Sequence, residues 1–305
     1  MSEFSEVLRY REVLWNLVRR NLKVRYKNSV LGFAWSLLNP LLQIGVWWFL
    51  FKVILPGRGE ANFMAILVTG FLPWLFFSQT VLDSTACVTQ EMALIKKAYF
   101  PRTILPLSVL LSNLIHLGFA FIVMIGLFIF WRVDVNIHYL LVIPSTLLLV
   151  IFAYGLSTML AAWSAFYADV KFIVSNLLGL WFFLVPILYP LYTALGADRP
   201  AGNWLETLIH HSLSTIKHLY LLDPVTIVIV GYRSALLHGG QPIVVTITDN
   251  MTKLEQQDAL IKQAVLRAEY PMLPYVIGAV IISLAAAIIG HWIYQRKAGQ
   301  FAEQG

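Results

Sequence analysis

Six separate stretches of this chain each hold about 20 mainly apolar residues, the length a helix needs to cross about 30 Å of hydrocarbon. They are Leu31–Leu55, Phe63–Leu82, Leu105–Trp131, Leu140–Phe166, Phe172–Leu195 and Leu273–Tyr294. The expected fold class is therefore an all-α polytopic membrane protein with six transmembrane helices. Pro40, Pro73, Pro144 and Pro186 fall inside these spans or near their ends. Neighbouring helices can satisfy the carbonyls that prolines free, so they do not defeat the assignment. Composition agrees: 59% of residues are hydrophobic and 12% charged, against about 45–50% and about 25% in soluble domains. The single cysteine, Cys87, excludes an intrachain disulfide.

Lysine and arginine in the short loops set the orientation. Arg9, Arg11, Arg19, Arg20, Lys23, Arg25 and Lys27 precede the first span. Lys96, Lys97 and Arg102 lie between spans two and three, Lys171 between four and five, and Arg296 and Lys297 after six. The opposite short loops hold only Lys52, Arg58 and Arg132. Both termini are thus expected to be cytoplasmic, and the long segment from Gly196 to Pro271 external. Because the cations crowd beside apolar spans, the net charge of +6 is not a nucleic-acid signature.

The first 27 residues are basic and amphipathic and lack the unbroken apolar core of a signal peptide. At 100° per residue, Val7, Tyr10, Leu14, Leu17, Val18 and Leu22 gather on one face and Arg9, Glu12, Arg19, Arg20 and Lys23 on the other. Such a helix lies in the interface, with its cations against anionic lipid. The chain thus divides into an amphipathic helix (1–30), a transmembrane domain (31–295, with the external segment at 196–271) and a cytoplasmic tail (296–305). Within the external segment, Asp223-Pro224 reads as a cap followed by proline at the first helical position. Pro242–Thr248 reads as extended and Lys253–Glu269 as helical. His210, His211 and His218 lack the partners of a metal site and read as solvated side chains.

The chain holds no phosphate-binding loop of the form G-x-x-x-x-G-K-[ST], no H-E-x-x-H and no G-x-S-x-G. It is not expected to be an enzyme or to carry a cofactor or metal of its own. Intramembrane charges are few: Asp83 and Asp169 are expected near cytoplasmic ends, where they solvate or cap, and His116 to bond a neighbouring carbonyl. Energy must then come from a partner. The loop between spans two and three is a candidate for that contact. A short helix is expected through Glu91–Lys97, and Pro101 breaks it before span three. The result is an elbow with exposed Tyr99 and Phe100 flanked by Lys96, Lys97 and Arg102, a composition that fits a protein-contact hot spot and equally an amphipathic connector resting on the bilayer.

Four segments resemble the permeases of ABC transporters that export lipid-linked polysaccharide, the O-antigen and teichoic-acid exporter family. They are Arg19–Pro40 (RRNLKVRYKNSVLGFAWSLLNP), Gly70–Phe77 (GFLPWLFF), Leu94–Arg102 (LIKKAYFPR) and Trp181–Pro190 (WFFLVPILYP). The stretch from Asp223 to Leu237 resembles the family's external segment, although residues 196–222 and 239–271 are longer than the usual connection. The resemblance implies a homodimer in the bacterial inner membrane, two copies of a separate ATP-binding subunit that binds ATP and magnesium, and a lipid-linked polysaccharide as substrate. It places the coupling contact at Glu91, Lys96, Lys97, Tyr99, Phe100, Pro101 and Arg102, with Asp169 as a smaller second contact. It also implies that external helices before span six form a lid. Aromatic residues concentrate at span ends, where interfacial belts are their ordinary role. In a polysaccharide exporter, Trp74, Phe76, Phe77, Trp181, Phe182, Phe183, Tyr189 and Tyr192 are candidates to line the pathway, since loose stacking lets a polymer slide. Competing readings are a permease for capsular polymer, small lipids or drugs, and a membrane enzyme acting on polyprenyl-linked sugars.

Overall fold

The computed structural model describes residues 3–25, 29, 34–54, 63–130, 137–189, 191, 217–237, 256, 260, 264 and 271–303, and no strand occurs among them. Two amphipathic helices, α1 (Glu3–Arg9) and α2 (Arg11–Arg25), lead into α3 (Trp35–Phe49). The long α4 (Phe63–Ser84) is followed by two short helices, α5 (Cys87–Gln90) and α6 (Met92–Lys97), and then by α7 (Ile104–Phe130). Next come α8 (Val142–Ser164), α9 (Asp169–Leu184), α10 (Pro224–Leu236) and α11 (Met272–Ala298).

Among the described residues, four helical stretches are long and apolar enough to cross a membrane: Met64–Ser84, Ile104–Ile129, His138–Ser164 and Met272–Phe301. The first and fifth sequence-predicted spans are shorter as helices. α3 covers Trp35–Phe49 and continues as a wider π-turn, Leu50–Ile54. α9 stops at Leu184, well before the expected Leu195. The cause is Pro186, which disfavours helix in the residue before it. Val185 is extended (φ −77, ψ 150). Sixteen residues reach about 24 Å, short of the full hydrocarbon thickness. Pro40 and Pro73, by contrast, are held inside α3 and α4.

The most apolar window of α4 is 78% buried, that of α11 only 17%. α4 is therefore the axis on which α3, α7, α8, α9 and α10 pack, and α11 turns much of its surface outward. Hydroxyls on the spans bond back to carbonyls one turn earlier, as Thr80 does to Phe76 (2.7 Å) and Ser112 to Ser108 (2.6 Å). That consumes donors lipid could not satisfy. α8 and α11 cross backbone to backbone at Gly155 and Gly290; a Cβ on Gly290 would collide with the Gly155 carbonyl. Small residues permit such close crossing in membranes.

α10 departs most from expectation. Instead of covering the surface as a lid, it lies within the helical core, with Val225, Val228, Ile229 and Tyr232 each 0% exposed. A helix apolar on nearly every side has no face to give to water. The expected cap is present: Asp223 accepts from the backbone of Val225 (3.4 Å) and Thr226 (3.0 Å), and Pro224 opens the helix. Arg233, 4% exposed, donates to the carbonyls of Tyr189 (2.9 Å), Ile187 (2.9 Å) and Ile66 (3.2 Å). It thereby ties α10 to the turn after α9 and to the start of α4. Gly70 makes room: a Cβ there would lie 3.3 Å from both Arg233 Nη2 and the Ile187 Cα.

The apolar stripe of α2 is also spent on protein. Leu17 and Val18 are buried, and Tyr10, Val13 and Leu14 pack on a cluster that includes Val88, Ile95, Leu105 and Ala161. The acyl boundary expected beneath this helix is occupied by the chain itself. His218 is not simply solvated, since its Nδ1 bonds Tyr275 Oη at 2.5 Å and the rings stack. His210, His211, Pro242–Thr248 and most of Lys253–Glu269 lie outside the described residues.

Candidate functional site

At one end of the bundle, the cation-bearing segments converge. α2, α5, α6 and the start of α7 meet the ends of α8 and α11 in a single apolar cluster. Within it, the elbow between α4 and α7 has an inner and an outer side. Glu91, 7% exposed, pairs with Arg20 of α2. Phe100, expected outward, is 7% exposed and packs in the cluster beside Ile95 and Ile104. Ala98 is extended (φ −133, ψ 139) where the chain leaves α6, and Tyr99 and Phe100 end on opposite sides of the elbow, one exposed and one buried. Tyr99 is 92% exposed, and Lys96 and Lys97 are exposed beside it.

Pro101 and Arg102 are half-buried. The Arg102 carbonyl accepts from Tyr294 Oη at 2.9 Å, and its guanidinium lies 6.0 Å from the Phe301 ring. Phe301, 0% exposed, also contacts Phe166, whose ring carries Lys297 at 4.5 Å. The tail after α11 thus ties the elbow to the α8–α9 turn, where Tyr167 and Asp169 are exposed. Asp169 opens α9, a favourable place for a negative charge. The outward set is Lys96, Lys97, Tyr99 and Asp169; the inward set, Glu91 and Phe100, holds the elbow in place. Asp83 does more than solvate: it pairs with Arg25 and accepts from Asn113 Nδ2 at 3.1 Å.

The aromatic candidates separate in the same way. An open groove of about 430 Å³ runs between α3, α4 and α9, walled by Trp47, Trp74, Phe182 and Phe183 with the amides of Gln43 and Gln79. Trp47 stacks on Phe182 at 5.9 Å, and Phe182 lies 5.9 Å from Trp74. Phe77 is buried against Phe152 (5.5 Å, parallel) and Trp181 (5.4 Å, edge-on), so Phe77 and Trp181 pack the core. Of the three consecutive rings of α9, Trp181 points inward, Phe182 into the groove, and Phe183 stands at the groove's exposed edge, as the 100° step allows. Phe76 turns to a neighbouring cavity. Tyr189 donates to the Leu184 carbonyl at 2.6 Å and closes the turn after α9. Tyr192 lies outside the described residues. Trp47, a span-end aromatic outside the eight pathway candidates, joins this groove; its signal is the i, i+4 stripe Trp35, Asn39, Gln43, Trp47 along α3.

Comparison with known proteins bears on a surface of this kind. A family described as "ABC-2 type transporter" matches residues 12–195, the stretch that carries α2, the elbow and the aromatic groove. The chain belongs to this family. It is 37% identical over 188 residues to the O-antigen export system permease protein RfbA of Myxococcus xanthus, covering 62% of this chain and 72% of that one. It is 32% identical over 179 residues to a protein of the same name from Klebsiella pneumoniae, covering 58% and 69%. As an ABC-2 permease the chain is the multi-pass membrane subunit of a transporter. The elbow and groove belong to the matched region, whereas α10 and α11 lie beyond it.

Proposed function

We propose that this chain is the permease subunit through which an ABC transporter exports lipid-linked polysaccharide of the O-antigen type, driven by ATP hydrolysis on a separate subunit. The observation that carries the reading is the groove of Trp47, Trp74, Phe182 and Phe183, edged with Gln43 and Gln79, in a chain 37% identical to an O-antigen export permease. Ring faces pack against sugar C–H surfaces without demanding one sequence, and the amides exchange hydrogen bonds with hydroxyls. Binding of that kind is loose enough for a polymer to leave. The groove lies on the side formed by α3 and α9, whose outward apolar residues, Leu42, Val46, Leu177 and Leu180, suit a second copy of the chain. In a homodimer the two grooves would face a shared passage.

The assembly in this reading lies in the inner membrane, with six crossings per chain, α3 and α9 completing the set. The converged cation-rich end faces the cytoplasm, and the segment 196–271 belongs to the external side, with α10 folded from it into the core. Lys96, Lys97 and Tyr99 dock on one of two ATP-binding subunits, which hold ATP and magnesium, and Asp169 adds a smaller contact. The test is a strain from which the gene is deleted, complemented with wild type or Tyr99→Ala. Deletion should abolish surface polysaccharide. The variant should insert normally but restore only a small fraction of the polymer and co-purify poorly with the ATP-binding subunit. Undiminished surface polymer in the deletion strain would overturn the exporter reading.

A further inference from the structure

Beside the aromatic groove lies a second cavity, of about 280 Å³, enclosed by α3, α4, α7 and the end of α2. Its polar lining comes from four helices: Arg25 on α2, Asn39 and Gln43 on α3, Gln79 and Asp83 on α4, and Asn113 and His116 on α7. Its opposite wall is apolar, with Leu72, Phe76 and Leu117, and Trp35 stands at the rim. Polar side chains on membrane-spanning helices are costly and concentrate where they do something. Four of these seven are primary amides, and they converge on one space.

The site is built. Asn113, 2% exposed, accepts from Arg25 Nη1 at 3.1 Å and donates to Asp83 Oδ2 at 3.1 Å, while Arg25 also pairs with Asp83. The charges of Arg25 and Asp83 cancel. A free anion would have to displace Asp83 from Arg25, and a cation Arg25 from Asp83, so the cavity favours neither. What it offers is neutral and bidirectional: the amides of Asn39, Gln43 and Gln79 each carry two donors and an acceptor in one plane, while Asn113 is engaged with Arg25 and Asp83. Both bonds to Asp83 land on Oδ2, which leaves Oδ1 as a further acceptor. The ligand that matches has several hydroxyls, each donor and acceptor at once, on a ring whose faces are apolar.

We propose that this cavity is a sugar-binding subsite that holds one ring of the transported polymer and reads the pattern of its hydroxyls. The proposal rests on the exporter reading and adds where and by which groups the sugar is recognised. Continuity with the groove supports it. Gln43, Leu75 and Gln79 line both spaces, so a ring leaving the amides passes directly onto Trp47 and Trp74. Recognition by amides then gives way to sliding on aromatics.

The test uses the purified complex of this chain with its ATP-binding subunit in lipid nanodiscs. The probe is the host strain's own polysaccharide, released from its lipid by mild acid and cut to short oligosaccharides, with inorganic pyrophosphate as a second probe. The oligosaccharide should bind wild type. Gln43→Ala and Gln79→Ala should each weaken it about tenfold, the loss of roughly one hydrogen bond. Both amides are exposed to the cavity, so thermal stability should hold. Trp48→Ala, on the same helix but outside the cavity, should change nothing. Three results overturn the subsite: no oligosaccharide binding by wild type, unchanged affinity in both glutamine variants, or pyrophosphate binding that those variants abolish, which would make it an anion site. A strain lacking the chain that still displays polymer defeats the exporter reading. A strain that loses polymer yet recovers fully with Gln79→Ala of unaltered affinity defeats the subsite alone.

Discussion

Arg233 shows how a single side chain decides the placement of a whole segment. An arginine in a 13-residue apolar stretch reads as a mark of the surface, because charge resists burial. Here the guanidinium fork meets three backbone carbonyls, those of Ile187 and Tyr189 in the turn after α9 and that of Ile66 in α4, which also accepts from the Thr69 hydroxyl. The arginine thereby becomes the reason the segment can be internal. Hydrogen bonds to charged donors contribute about 1.5–3 kcal/mol, and unsatisfied buried carbonyls cost further. Arg233→Met should destabilise the purified protein by about 3 kcal/mol or more. Arg233→Lys should recover little, since a point charge cannot span three acceptors. Thermal unfolding in detergent reads this directly, and an unchanged midpoint for Arg233→Met would remove the tie between α10 and α4. The same scale explains Phe100. Its aromatic character is visible in sequence, but which of two adjacent aromatics turns inward depends on the path of the chain as it leaves α6.

Elements were legible where their physics is local. The cap at Asp223-Pro224, the break before Pro101 and the four long spans each follow from residues within a turn or two of one another. Elements were less legible where a neighbour decides. A mostly apolar 13-residue helix is equally apolar as a lid or as core, and the extent of α9 was overestimated because hydrophobicity continues past Pro186 while the helix does not. The amphipathic stripe of α2 is visible in the sequence as a face, but what covers it is not: Leu17 and Val18 are buried in protein rather than lipid. Of the candidate site, the residue types of the groove could be read, but not the split between Phe182 in the groove and Trp181 in the core. The crossing of α8 on α11 gives a test at this scale. A valine at position 290 would drive its branched Cβ into the backbone at Gly155, where overpacking costs about 1–3 kcal/mol or more and no flexible side chain can yield. Gly290→Val should therefore cut the yield of folded protein sharply. Gly118→Val is the control, since nothing lies within 4 Å of a Cβ there. Equal yields from the two variants would mean the helices do not cross so closely.

At the scale of the whole molecule, the charge bias of the short loops and the packing point the same way. The segments before α3, between α4 and α7, between α8 and α9, and after α11 are separated in sequence, yet they share one apolar cluster built on Leu17, Phe100, Leu105, Ala161, Tyr294 and Phe301. In the proposed orientation this converged end is the cytoplasmic face, because such cations are retained on the cytoplasmic side during insertion. The native thiol permits a clean test. Burial pushes Cys87 up to about 12, so at neutral pH it holds on the order of a thousandfold less thiolate than an ordinary cysteine and should stay silent toward maleimides. Single cysteines can then be placed on the otherwise unaltered chain. Arg11→Cys and Lys97→Cys, at exposed positions on the converged end, should resist a membrane-impermeant maleimide in intact cells and react once the membrane is opened. Asn203→Cys, in the segment between α9 and α10, should react from outside before opening. The wild-type chain should label only after denaturation. Labelling of Lys97→Cys from outside intact cells would place the elbow away from any cytoplasmic ATPase, and the coupling role of Tyr99 would fall with it.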